Sequence, residues 1–105
     1  MTTTRHMVQY KLKPECVEDN ERLARAVYEE LRSVRPSGLR YATFKLGDGL
    51  SFVHIVSHEG GGDNAALTSL ASFKAFSSGV RERCEIPPAR VELHEIGSYG
   101  FFNND

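Results

Sequence analysis

Between Ser51 and Glu59 the chain is apolar on both sides of an extended segment. Alternation puts Phe52, His54, Val56 and His58 on one face and Val53, Ile55 and Ser57 on the other. Such a strand must be covered twice, because monomers avoid a contiguous apolar face in water. Helices of the same chain can cover one face. The second needs another partner.

The rest of the chain supplies two helical segments for that covering. His6 to Lys13 alternates as a strand, with Val8, Tyr10 and Leu12 on one face and Met7, Gln9 and Lys11 on the other, and Pro14 ends it. Glu15 to Arg35 reads as a helix, with Val17, Leu23, Val27, Leu31 and Val34 at helical spacing. Glu15, Glu18, Asp19 and Glu21 crowd its start and Arg32 and Arg35 its end, a charge bias that complements the helix dipole. Pro36-Ser37-Gly38 breaks the helix. A second strand, Leu39 to Leu46, then meets the third through the turn Gly47-Asp48-Gly49.

Gly60-Gly61-Gly62 ends the third strand and reads as a linker, since no phosphate-loop pattern surrounds it. Asp63 or Asn64 is positioned to cap a second helix. Its stripe runs Leu67, Leu70, Phe73, Phe76, Val80 and Cys84, with a break expected near Ser69 and an end before Pro87-Pro88. Ala89 to Ile96 is the fourth strand, and Tyr99 to Phe102 an apolar tail. The order β-α-β-β-α-β is that of a ferredoxin-like α+β fold, with an antiparallel sheet in the order 4-1-3-2 and both helices on one face. The uncovered face then calls for a second copy of the chain, so a homodimer is expected, its sheets facing each other across a cavity or closed barrel.

A length of 105 residues suits one domain, with an ordered core of about 6–102. Thirteen basic and fourteen acidic side chains nearly cancel, which argues against a nucleic-acid partner. No apolar run approaches the roughly 20 residues of a membrane helix, and residues 1–6 lack a signal-peptide core, so no membrane partner and a cytoplasmic location are expected. Cys16 and Cys84 form no C-x-x-C pair and read as reduced thiols.

Several segments resemble the dimeric α/β barrel superfamily, above all small proteins with an antibiotic biosynthesis monooxygenase-type domain. They are Tyr10-Lys11-Leu12-Lys13-Pro14, Pro36-Ser37-Gly38-Leu39-Arg40-Tyr41, Ser72-Phe73-Lys74-Ala75-Phe76 and the closing strand Val91 to Gly97. The opening His6-Met7-Val8 also resembles the stress-responsive α/β barrel branch. The resemblance implies a pocket between helices and sheet or inside the barrel, and one of several activities. Its haem-degrading members use an Asn, Trp and His set, which a chain without tryptophan cannot complete. Its other members include cofactor-free monooxygenases and lactone isomerases, so the resemblance implies a cofactor-independent oxygenase or isomerase of a small aromatic or polyketide-like compound, with no cofactor expected. The alternative is a non-catalytic homodimer that binds a small ligand or is associated with stress.

Oxygenation without a cofactor needs one base in an aromatic pocket that excludes water. His54, flanked on its face by Phe52 and Val56, is the candidate base. Tyr10, Tyr41, Phe44, Phe52, Val56 and His58 are the candidate substrate-binding residues, and Tyr99 of a partner is a further aromatic within reach. His54 and His58 lie about 13 Å apart along an extended chain, too far to clasp one ion, and no metal is expected.

Overall fold

The computed structural model describes residues 3–59 and 65–101. The elements are β1 (Thr3–Leu12), α1 (Val17–Val34), β2 (Leu39–Lys45), β3 (Ser51–Glu59), α2 (Ala65–Thr68), α3 (Ala71–Ser78), α4 (Val80–Arg83) and β4 (Cys84–Leu93). The sheet order is β2-β3-β1-β4 and every pairing is antiparallel. This is the ferredoxin-like α+β arrangement expected from the order of elements.

A single 3-10 turn, Pro14–Cys16, leads from β1 into α1, with Pro14 at a position where a missing N–H costs nothing. The helix ends at Arg35, which adopts the left-handed conformation at φ 52° and donates its N–H to the Leu31 carbonyl at 2.8 Å. Gly38 follows at φ 76°, and its carbonyl accepts from Glu59 N–H at 2.8 Å, locking the start of β2 onto the end of β3. At the other end of this hairpin, the Asp48 carboxylate accepts from Leu50 N–H, Ser51 N–H and the Ser51 hydroxyl at 2.9, 2.8 and 2.7 Å. Those three donors hold its carboxyl down at about 2.

The second helical region differs from the expected single helix. It is three short pieces, and the break at Ser69 falls where the sequence suggests it. Its last piece ends at Arg83, so Cys84 opens β4 instead of closing a helix, and β4 runs through Pro87 and Pro88. Prolines are tolerated there because β4 is an edge strand of this sheet, and the pairing with β1 shifts register between Gln9 and Lys11. The strand stops at Leu93, leaving His94 outside it. The glycine linker 60–62, the capping positions 63 and 64 and Phe102 lie outside the described residues.

Helices α1 and α3 pack on one face of the sheet over a core that includes Tyr10, Leu12, Val27, Phe52, Val56, Leu67 and Phe76. The opposite face carries Met7, Val53, Ile55 and Phe44, with Val91 from β4, and Phe44 and Val91 are about half exposed. That is the uncovered apolar face anticipated from β3.

Candidate active site

Register on the helix-facing side decides which side chains meet. His54 lies directly opposite Val8 of β1 and Thr43 of β2, so Tyr10 and Tyr41 become its diagonal neighbours, within reach of aromatic side chains. Both make contact. The Tyr10 hydroxyl is 2.7 Å from His54 Nε2 and the Tyr41 hydroxyl 2.7 Å from Nδ1, with Thr43 Oγ1 at 3.2 Å from the same Nδ1. Tyr28 of α1 closes the group, its hydroxyl 2.6 Å from Thr43 Oγ1.

Above this cluster, between the sheet and α2–α4, is a cavity of about 130 Å³. Tyr10, Tyr41, His54 and Val56 form its sheet side, and Phe73 and Phe76 face them from α3. The cavity is slightly smaller than the about 150 Å³ of a dry apolar cavity that holds benzene, so its size is on the scale of a single aromatic ring. Phe76 lies 5.4 Å from the His54 ring centroid, and Phe73 meets Tyr41 edge-on at 6.5 Å.

Burial sets the protonation of the cluster. His54 is only 4% exposed, and desolvation pushes it down to about 4, so at neutral pH it is an uncharged imidazole with one donor and one acceptor nitrogen. Desolvation also raises Tyr10 to about 12 and raises Tyr41, so both keep their hydroxyl protons. His6, at the far rim of the cavity, is lowered by burial, then by Arg90 and His58.

The expected site residues divide. Tyr10, Tyr41, His54 and Val56 share the cavity wall. Phe52 is buried one layer off, its ring stacked 5.7 Å from that of Tyr10, where it fixes the tyrosine from the α1 side. His58 is buried too, its ring 6.4 Å from His6, and it supports the rim without lining the cavity. Phe44 corrects the expectation: it pairs with Val53 on the opposite face and is 50% exposed, because side chains alternate along β2 and Phe44 has the opposite parity to Tyr41 and Thr43. Tyr99 is 89% exposed in the single chain.

Two residues of the site were not anticipated. Asn20 has no exposed surface, and its Nδ2 donates to the Tyr10 hydroxyl at 3.0 Å. Arg83, also buried, donates from Nε to Asn20 Oδ1 at 3.0 Å and from its terminal nitrogen to the Phe76 carbonyl at 2.8 Å. A signal was available: Asn20 stands four and seven residues before Ala24 and Val27 on the apolar stripe, and Arg83 directly precedes Cys84 on the second stripe. Among the described residues no group of three or more His, Cys, Asp or Glu side chains converges as a metal site would.

No protein-family model and no curated protein matches the sequence. Solved structures match in shape. A protein from Nitrosomonas europaea, provisionally assigned as an antibiotic biosynthesis monooxygenase, superposes with a TM-score of 0.74 at 20% identity, covering 90% of each chain. An antibiotic biosynthesis monooxygenase gives 0.70 at 21% identity, over 90% of this chain and 99% of the other. A mutant of SnoaB, described as a cofactor-independent oxygenase from Streptomyces nogalater, gives 0.69 at 10% identity, over 93% and 97%. At these identities the likeness is one of fold.

Proposed function

We propose, starting from the fold shared with antibiotic biosynthesis monooxygenase-like proteins, that this chain is a cofactor-independent oxygenase of a small aromatic compound bearing an acidic hydroxyl. The observation that supports this reading best is a neutral imidazole, His54, held in an aromatic cavity and bonded to a tyrosine that itself faces the cavity. A ring seated against Phe73 and Phe76 gives up its hydroxyl proton through Tyr10 to His54. The anion carries carbanion character at a ring carbon, and O2 adds there. Where that ring carbon bears a hydrogen, the hydroperoxide, reprotonated by the His54 imidazolium, loses water and leaves a carbonyl, so the O–H and C–H hydrogens leave with one oxygen atom of O2 as H2O and the other oxygen atom becomes the new C=O.

The proton transfer is uphill but affordable. A phenol near 10 and an imidazole near 4 differ by about six units, or about 8 kcal/mol. With Tyr10 between them the two charges lie roughly 5 Å apart, and their attraction returns about 3 kcal/mol at an effective dielectric of 20. The remaining ~5 kcal/mol fits inside the roughly 17 kcal/mol that a turnover of 1 per second allows. An acidified hydroxyl lowers it further. Oxygen uptake tested against single-ring and fused-ring phenols is the direct experiment; no enzyme-dependent uptake with any of them overturns the reading.

A second reading is favoured by one observation: both His54 nitrogens are already engaged by protein hydroxyls. A purely structural histidine would look the same, and the chain would then bind its small aromatic ligand without turning it over. Saturable binding without oxygen uptake selects this alternative.

The working unit we infer is a homodimer. Met7, Val53, Ile55, Phe44 and Val91 form a face that a second sheet would cover, and burying what is still exposed of each contributes a fraction of the about 1.5–3 kcal/mol that full burial is worth. For the location, no helix among the described residues is long and apolar enough to cross a membrane.

A further inference from the structure

Hydrogen-bond direction in the buried chain Arg83–Asn20–Tyr10 is set from its arginine end, and burial of the Tyr10 hydroxyl extends it to His54. An arginine has donors only, so Asn20 must turn its carbonyl oxygen toward Arg83 Nε. The amide nitrogen of Asn20 then faces Tyr10, and the tyrosine oxygen accepts. The Tyr10 proton needs an acceptor of its own in this buried cluster, and His54 Nε2 at 2.7 Å is the acceptor within reach among the described residues, so Tyr10 donates there rather than accepting a second time. A neutral imidazole that accepts at Nε2 carries its proton on Nδ1, and the two oxygens at Nδ1, Tyr41 and Thr43, are both able to accept it.

We propose that Asn20 and Arg83, neither of which lines the cavity, are positioning residues that fix His54 as the Nδ1–H tautomer and so make Tyr10 the group that takes the ligand's proton. With the opposite direction, His54 would donate to Tyr10 from Nε2, and the relay would have no vacant basic nitrogen behind the tyrosine. In the fixed direction, a ligand hydroxyl donates to the remaining lone pair of the Tyr10 oxygen, and the Tyr10 proton moves to Nε2. The bonds broken are the ligand O–H and the Tyr10 O–H; the bonds formed are the new Tyr10 O–H and Nε2–H. Specificity follows: the site takes aromatic ligands that present a hydrogen-bond donor at this spot. A buried polar pair on two otherwise apolar stripes has a purpose in this arrangement that packing alone does not supply.

The proposal about ligands rests on the cavity being the functional site, but the tautomer does not, and the test separates them. Nitrogen-15 NMR of histidine-labelled, ligand-free protein reads which His54 nitrogen bears hydrogen; Nδ1 is expected, and a proton on Nε2 overturns the proposal. Asn20→Asp keeps the acceptor for Arg83 but replaces the donor toward Tyr10 with a second acceptor. Tyr10 then donates to the carboxylate, and the His54 proton is expected to move to Nε2. A folded N20D variant with an unchanged tautomer also overturns the proposal. Should N20D fail to fold, Arg83→Met and Arg83→Lys decide: the first frees the Asn20 amide to flip and should give mixed tautomers, the second retains a donor and should restore Nδ1–H. Identical spectra in both contradict the proposal. Where oxygen uptake is measurable, N20D should lower kcat by on the order of 10²-fold, the lower range for losing general-base catalysis. Absent uptake in the wild type, with the tautomers as expected, overturns only the oxygenase reading.

Discussion

Replacing His54 by Gln should remove an acid sensitivity that the wild type shows between about pH 6.5 and 4. Folding takes the imidazole from its ordinary 6.5 to about 4, with burial as the cause. Above pH 6.5 neither the folded nor the unfolded chain binds the proton, and the stability is complete. As pH falls through 6.5 the unfolded chain protonates first, so it is favoured by up to about 1.4 kcal/mol per unit. Below about 4 the folded form protonates as well and the loss levels off. The interval of about 2.5 units therefore costs about 3 kcal/mol. Gln at this position offers a donor and an acceptor to Tyr41 and Tyr10 but does not titrate. His6 is lowered too and adds a loss of the same sign, present in both proteins and cancelling in the difference. Urea denaturation at fixed protein concentration, from pH 7.5 to 4, measures it. With a slope of about 1–3 kcal/mol per molar, the wild-type midpoint should fall by about 1 M or more beyond that of the variant. Equal pH dependence in the two proteins refutes the argument that His54 is buried uncharged.

Three further outcomes follow from the packing. Leu12→Ala, at a side chain with no exposed surface, should cost about 2–5 kcal/mol in chemical denaturation. Arg35→Gly should leave stability unchanged or raise it by up to about 1 kcal/mol, since glycine adopts φ 52° without the penalty a side chain incurs. Ile55→Glu, in the middle of the open sheet face, should convert a dimer into a folded monomer in sedimentation at micromolar concentration; a wild type that is already a stable monomer contradicts the assembly argument.

The fold was legible because its signals are periodic. The two-sided third strand, the Gly47-Asp48-Gly49 turn and the Val17–Val34 stripe each name their element, and together they fix an order with few topologies. Boundaries were lost where two signals competed. Pro87-Pro88 reads as a barrier to helix and strand alike, yet an edge position with shifted register accepts both prolines, so β4 starts five residues earlier than the sequence suggests. Within the site, face alternation sufficed for Tyr10, His54 and Val56, which lie on two strands of clear parity. Phe44 was misplaced because an aromatic residue in a strand was grouped by type, whereas parity with Tyr41 and Thr43 assigns it to the other face. Asn20 and Arg83 escaped notice because a helical stripe is recognised by its apolar members, and a polar residue within it looks like an interruption until its partner is placed three-dimensionally.

Oxygen uptake by the wild type and by His54→Ala, on the same panel of aromatic hydroxyl compounds, tests the proposed chemistry most directly. Enzyme-dependent uptake that falls by about 10²-fold or more in H54A, with both proteins folded, is the expected result. Uptake that survives unchanged in H54A contradicts it and places the base elsewhere.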